Sequence, residues 1–486
     1  KILEIEAPRL AADRATPINL KLAALFAMGE YDATLEQGKD LLVEPTIEGL
    51  RTMGDAALAK FEQEPDRKLR EEAIRYYRGS QALIDRSAQP EEWAKASMLL
   101  ADALRETGAY GEADPLYREA LETRDRVLGR DHPDTLVSIN SLALLLYAKG
   151  DYAAAEPLYR ETLETSERVL GPEHPDTLFL INNLAVLLKS KGDYAAAEPL
   201  HREALESSER VLGREHPETL TLINNLAGLL EAKGDYAAAE PLYREALESG
   251  ERVLGREHPE TLTLISNLAG LLHKKGGYVA AEQLVREALE SSERVLGHEH
   301  PRTLKLVNNL AVLLHDKGDY AAAEPLDREV LEMRERVLGR EHPDTLVSIN
   351  NLALLLYAKG DYAAAEPLYR EALEILERVR GREHPQTLSA INNLAVLLLG
   401  KGDYAAAEPL YREALETRER VLGREHIKTL ASMNNLANLL YTKGDYAAAE
   451  PLLREALEIS ERVLGREHPK TRFLINNLAR LLEDKG

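Results

Sequence analysis

A chain of 486 residues carrying a formal charge of −22 and no cysteine cannot form disulfides, a zinc ribbon or a thiol nucleophile, and a surface this acidic repels nucleic-acid backbones and anionic membranes. No run of about 18 apolar residues is available to span a bilayer. No basic, apolar, then small-residue pattern opens the chain as a secretion signal would, which with the missing cysteines fits a cytoplasmic protein. The chain starts at Lys1 rather than Met and stops at a repeat boundary, so it reads as a piece of something longer or a trimmed chain.

Residues 1–91 are helical in composition without a strict period, and Pro8, Pro17, Pro45, Pro65 and Pro90 cut them into short segments. Within 18–42, Gly29-Glu30-Tyr31 looks like a worn copy of a turn that recurs later. The stretch 66–87 suits an amphipathic helix with Leu69, Ala73, Ile74 and Tyr77 on one face. About four or five helices are expected here, an irregular N-terminal cap over the first face of an array.

The array occupies 92–486. Gly108, Gly150, Gly192, Gly234, Gly276, Gly318, Gly360, Gly402, Gly444 and Gly486 are spaced by 42 residues, giving nine units from 108, preceded by one helix that holds Trp93. A fixed period of this length marks a solenoid, in which each unit touches its neighbours. Each unit reads as two helices. In the second unit, helix B is expected from about Tyr152 to Leu170, with Tyr152, Ala155, Leu158, Tyr159, Leu163 and Leu170 at three- and four-residue steps. Asp151 is placed to cap it and Gly171 to end it. Helix A follows from about Pro175 to Ser190, with proline at the first helical position, Asp176 toward the positive end of the dipole and Leu178, Ile181, Leu184, Ala185 and Leu188 as its core face. Pro157 and its equivalents fall inside helix B, which implies a bend that the stacking uses. Glu156, Arg160, Glu164 and Arg168 form an exposed ion ladder that favours solubility more than stability.

Gly192, Tyr194, Ala197, Ala204 and Leu205, with Leu184, Ala185 and Leu188 before them, resemble the tetratricopeptide repeat. The longer period and the connector Leu-Gly-x-Glu-His-Pro resemble the repeats of the kinesin light chain family and its bacterial relatives. The resemblance implies an all-α, right-handed α-solenoid of helix pairs whose concave groove, lined by helix A, holds peptide segments of partner proteins. Residues 1–91 lack the heptad coiled coil of a motor light chain, so a bacterial-type relative is expected. Such arrays also sit beside signalling or effector domains. The alternative function is therefore a regulatory or sensor array whose catalytic domain lies in a neighbouring domain or subunit.

The residues point to no enzyme and to no cofactor. No nucleophile elbow, phosphate loop or dinucleotide fingerprint occurs. His132, His174, His216, His258, His300, His342, His384, His426 and His468 repeat in the connector, one per unit, without metal-ligand spacing, and each is expected to cap its own turn. The Asn-Asn pair of helix A carries more information. The second asparagine, as Asn183 or Asn225, lies nearer the packed side and is expected to bond backbone in the adjacent helix. The first (Asn140, Asn182, Asn224, Asn308, Asn350, Asn392, Asn434 and Asn476) lies on the expected groove face, where a ladder of amides could grip an extended peptide. Around it the stripe varies from unit to unit, bringing in Tyr147, Lys189, His273, Lys305, His315, Tyr357 and Tyr441 as candidate peptide-binding residues. Deviations concentrate between 263 and 331, where Ser266, Gly277, Gln283, Val285 and Asp327 replace the usual residues. There His273, Lys274, Lys305 and His315 suggest a pocket for an acidic peptide, and the lost cap at Gly277 suggests a softer joint.

Overall fold

In the computed structural model of the chain, which describes residues 21–38 and 45–485, every regular element among the described residues is a helix. Pro8, Pro17, part of the 18–42 segment and Gly486 lie outside those residues. The fold is an all-α solenoid of helix pairs. It divides into two compact parts, one comprising Lys1–Leu145 with Leu296–Leu304 and Glu332–Thr345, the other Leu146–Val295, Lys305–Leu331 and Leu346–Gly486.

The local grammar is visible in any repeat. Helix B Tyr152–Val169 begins where the Asp151 carboxylate accepts the Ala154 N–H at 3.0 Å, and Gly171 follows its end at φ 96°. Helix A Pro175–Lys191 opens on proline, which has no N–H to leave unsatisfied, and closes on left-handed Gly192. Pro157 sits in the second turn of helix B, where its missing N–H would have bonded the Ala153 carbonyl. Both residues are exposed, so water can take up the freed carbonyl. Helix A is buried on two sides, at Leu178, Ile181, Leu184, Ala185 and Leu188 and also at Leu180 and Leu187. It packs against the helix B before it, the helix B after it (Tyr194–Val211) and the next helix A (Pro217–Ala232). Fully burying one leucine contributes about 1.5–3 kcal/mol, so helix A supplies most of the adhesive surface.

One pair of facing positions is filled differently from repeat to repeat. Helix B and helix A contribute Ser166 with Leu180, Ser208 with Leu222, Gly250 with Leu264, Leu376 with Ala390, Arg124 with Ser138 and Arg418 with Ser432. A large residue on one helix meets a small one on the other. The Gly250 site has no room to spare, because a Cβ there would stand 2.9 Å from Leu264 Cδ1. Where arginine takes the large role it is buried and donates to the facing serine, Arg124 to Ser138 at 2.9 Å and Arg418 to Ser432 at 2.6 Å. Burial pushes the Arg418 guanidinium down to about 10.

Toward the N-terminus the helices are less regular. The expected worn turn is present, with Gly29 at φ 77° and the Glu30 N–H bonded to the Leu25 carbonyl as Asp151 is to Leu146. Helix Ile47–Gln63 is capped by Thr46 and helix Arg67–Ala82 by Asp66. Of the apolar face expected for the latter, Ala73 and Tyr77 are buried, joined by Tyr76. Gly54 allows the two helices to close up, since a Cβ there would lie 2.6 Å from the Tyr77 ring. Helix Pro90–Glu106 carries Trp93, over which Arg86 stacks at 4.2 Å.

Candidate functional site

The connector histidines cap their own helices, as expected from their position. In each, Nδ1 accepts the backbone N–H two residues on, for example Asp176 to His174 at 3.2 Å and Gln386 to His384 at 3.1 Å. Among the described residues no group of three or more potential metal-ligating side chains comes together. A second bond was not expected. Nδ1 is an acceptor, so the ring proton sits on Nε2, and in the later repeats Nε2 donates to a backbone carbonyl more than five repeats earlier in the chain. His384 reaches Ala148 at 3.2 Å, His426 reaches Ser190 at 3.0 Å and His468 reaches Ala232 at 3.4 Å, each across 236 residues. In the other part, His300 reaches Glu62 at 3.1 Å. The acceptors lie at or near the carbonyl-rich C-terminal end of a helix, where orphan acceptors are available. Burial holds His384 down at about 4, with the Ala148 carbonyl acting in the opposite direction.

The asparagines form a ladder. The second asparagine of one repeat donates its amide to the first asparagine of the repeat before, where the sequence pointed to backbone in the adjacent helix as partner. Asn225 donates to Asn182 at 2.9 Å, Asn267 to Asn224 at 2.8 Å, Asn351 to Asn308 at 3.0 Å, Asn393 to Asn350 at 2.6 Å, Asn435 to Asn392 at 2.8 Å and Asn477 to Asn434 at 2.7 Å. These bonds fix the orientation of both amides. In these six pairs the Oδ1 of the first asparagine accepts a bond, while the Nδ2 groups of Asn182, Asn224, Asn308, Asn350 and Asn392 have no partner among the described residues and are not sealed from solvent. The ladder breaks once: Ser266 turns its hydroxyl back to the Leu262 carbonyl at 2.9 Å, and Asn309 is left without that partner. Asn140 is half-buried, and Asn434 is the most enclosed of the series.

The variable residues of the stripe are only partly free. The Tyr147 hydroxyl lies 3.0 Å from Ser190 Oγ, and its ring packs on Tyr152. Tyr357 packs on Tyr362, and burial raises its pKa. Tyr441 donates to Asp484 and lies under the Arg480 guanidinium at 4.7 Å. In the deviant stretch most of the lysine and histidine side chains singled out from the sequence already have partners. Asp316 stands 2.9 Å from His273 Nε2 and 2.8 Å from His315 Nδ1, and Lys274 pairs with Glu231 at 2.5 Å. Lys305 is exposed. Lys189 alone among these stripe cations is half-buried without an ion pair or hydrogen bond. Two features escaped the sequence reading. Asp316 stands one position beyond the stripe, and Gly228 makes room for Lys189 from the following repeat. Below the stripe, Asp327 is buried where most repeats place tyrosine, and burial pushes its carboxyl up to about 6.

A helix-A face carrying an oriented amide ladder, repeated along stacked helix pairs, belongs to a class of helical-repeat proteins. The sequence pattern of the tetratricopeptide repeat matches residues 94–167, 138–210, 178–251, 218–294, 260–335, 303–378, 346–420, 386–462 and 428–486, and the chain belongs to that family. Among solved structures it is similar to BtubC (BKLC) from P. vanneervenii, with 26% identity over 48% of this chain and 91% of that one and a TM-score of 0.39. It is also similar to a putative kinesin light chain with nearly identical TPR-like repeats from Podosopora anserina, with 25% identity over 42% of this chain and 98% of that one and a TM-score of 0.36. A second crystal structure of the latter gives 25%, 42%, 97% and 0.37. Its structural neighbours are thus kinesin light chain-like repeat proteins, a bacterial one included. No curated protein sequence matches it.

Proposed function

We propose that this chain is a non-catalytic, cytoplasmic scaffold that binds extended peptide segments of partner proteins along the asparagine face of helix A, with 1–91 as a cap on the 92–486 array. Tetratricopeptide repeats are generally protein-interaction modules, and among the described residues no helix is long and apolar enough to cross a membrane. The observation that carries the reading is the fixed orientation of the ladder. With Oδ1 of the first asparagine engaged by its neighbour, Nδ2 remains as a donor. The second asparagine, having spent a donor, keeps its own carbonyl as an acceptor. A donor and an acceptor at each step match the backbone of an extended chain and do not depend on its side chains.

The test is to select binders from a display library of short peptides and map the protected amides of the full chain by hydrogen exchange. The expected footprint runs along helices A that carry the ladder, such as Pro175–Lys191 and Pro217–Ala232. A footprint confined to helix B, or no selectable peptide, would overturn it.

A further inference from the structure

The contact between repeats distant in sequence has two sides. One is a ridge made by the end of helix B and the connector after it. In the last repeats this ridge carries His384, His426 and His468, each no more than 8% exposed, and Val379, Val421 and Val463 just before them are half-buried. The other side is the turn that closes helix A. There the three histidines bond the carbonyls of Ala148, Ser190 and Ala232, and the glycines of the turns lie against the ridge. A Cβ on Gly150 would strike the Pro385 ring, and one on Gly234 would stand 2.9 Å from His468 and 3.1 Å from Pro469. Three successive ridges thus seat on three successive turns, with the same 42-residue spacing on both sides.

Both sides also occur uncovered among the described residues. His174, His216 and His258 cap their helices through Nδ1, but they are only half-buried and no distant carbonyl meets their Nε2. The valines before them stand out from the surface, with Val169, Val211 and Val253 43%, 44% and 44% exposed. On the other side, helices Pro343–Ala358, Pro385–Gly400 and Ile427–Thr442 end on exposed residues, whose carbonyls are the orphan acceptors of a helix end. A Cβ on Gly360, Gly402 or Gly444 in the turns after them would meet nothing within 4 Å.

We infer that these two surfaces dock one copy of the chain on another. The valine and histidine ridge over 169–258 in one copy seats on the turns at Ala358, Gly400 and Thr442 in the next. The occupant is a second copy because the chain already makes this contact with itself, through the same residue types at the same spacing, so both surfaces are complementary as they stand. Each histidine Nε2–H gains a carbonyl, and each exposed valine is taken out of water. The ridge and the turns are different surfaces, so the contact is head to tail and can extend from copy to copy. It uses none of the helix-A asparagines, so it stands or falls apart from the peptide-binding reading. Copies that each carry −22 repel one another at long range, so association strengthens as salt screens the repulsion.

The experiment is sedimentation velocity on the full chain over a concentration series at low and moderate salt. The sedimentation coefficient of the unaltered chain is expected to rise with concentration, and more steeply with added salt. Val169→Arg with Val211→Arg blocks the ridge, and Ala358→Arg with Thr442→Arg blocks the turns. All four positions are exposed, so circular dichroism should show helical content unchanged. Each double variant by itself is expected to associate roughly tenfold more weakly or worse. Mixed in equal amounts the two should form a dimer and nothing larger, because one keeps its turns and the other its ridge. An unaltered chain that stays monomeric at every concentration would overturn the inference and leave the two surfaces to another occupant. Association that survives either double variant would overturn it as well, as would a mixture of the two that stays monomeric.

Discussion

At the scale of single residues, the connector histidine does two jobs with one ring. His174 caps its helix, whereas His384 caps its helix and also donates to Ala148. Both functions need the neutral ring with its proton on Nε2. The folded-state pKa of His384, about 4, lies below the ordinary histidine value of about 6.5. Between these values the unfolded chain binds a proton that the folded ring refuses, so this contribution is intact above pH 6.5 or so and is lost as the pH falls toward 4. His384→Asn keeps an acceptor for the Gln386 N–H but cannot reach Ala148. It is expected to lower stability at pH 7 by about 1 kcal/mol and to flatten the loss of stability between pH 6.5 and 4 in urea titrations. An unchanged slope would contradict the assignment. Asp327 works in the other direction. Its carboxyl is held up at about 6, so the unfolded chain releases its proton first and stability falls as pH rises from about 4 to 6. Asp327→Tyr, which restores the residue found at 117, 159, 243, 369 and 411, is expected to stabilise the chain by about 1–3 kcal/mol at pH 7, read as a higher unfolding midpoint. A drop would contradict the view that the carboxylate is an uncompensated buried charge.

At the scale of the helix, the repeats are interchangeable in outline and matched in detail. Capping by aspartate and histidine, the entry proline and the closing glycine are short-range devices, which is why helix A and helix B could be placed from sequence to within a residue or so. The pairing of asparagines could not be placed in this way. It depends on which residues of two helices stand opposite one another, and the periodicity of a single helix does not contain that register. The large-for-small exchange between Arg418 with Ser432 and Ser208 with Leu222 also becomes meaningful only once the helices face each other. It yields a sharp expectation. Ser432→Leu alone forces a leucine against a buried guanidinium and removes its hydrogen-bond partner, costing about 1–3 kcal/mol. Adding Arg418→Ser rebuilds the pair used elsewhere in the chain and should recover most of that loss. A double-mutant cycle with no coupling would show that the two positions do not share a site.

At the scale of the molecule, chain segments far apart in sequence come into contact, and nothing in the sequence announces it. The carbonyl partners of the histidines are on Glu62, Ala148, Ser190 and Ala232, and since every residue offers a carbonyl, no side-chain signature marks them. The glycines show the same contact sterically. Gly150 and Gly360 occupy the same place in their repeats at φ 76° and 80°, so alanine strains both backbones alike. Only at Gly150 would a Cβ also collide with the Pro385 ring, whereas Gly360 has nothing within 4 Å. Gly150→Ala should therefore lower the unfolding midpoint more than Gly360→Ala, by an increment of about 1–3 kcal/mol. Equal losses would argue against the close approach.

The claim on which the functional account turns is that the amide ladder faces a ligand and does more than hold helices together. The most direct measurement is the dissociation constant of one display-selected peptide for the full chain and for a variant carrying Asn182→Ala, Asn224→Ala, Asn350→Ala and Asn392→Ala. Loss of even two backbone hydrogen bonds of ordinary strength weakens binding by roughly tenfold or more, and that loss is expected with helical content unchanged. A peptide that binds the variant as tightly as the native chain would contradict the account.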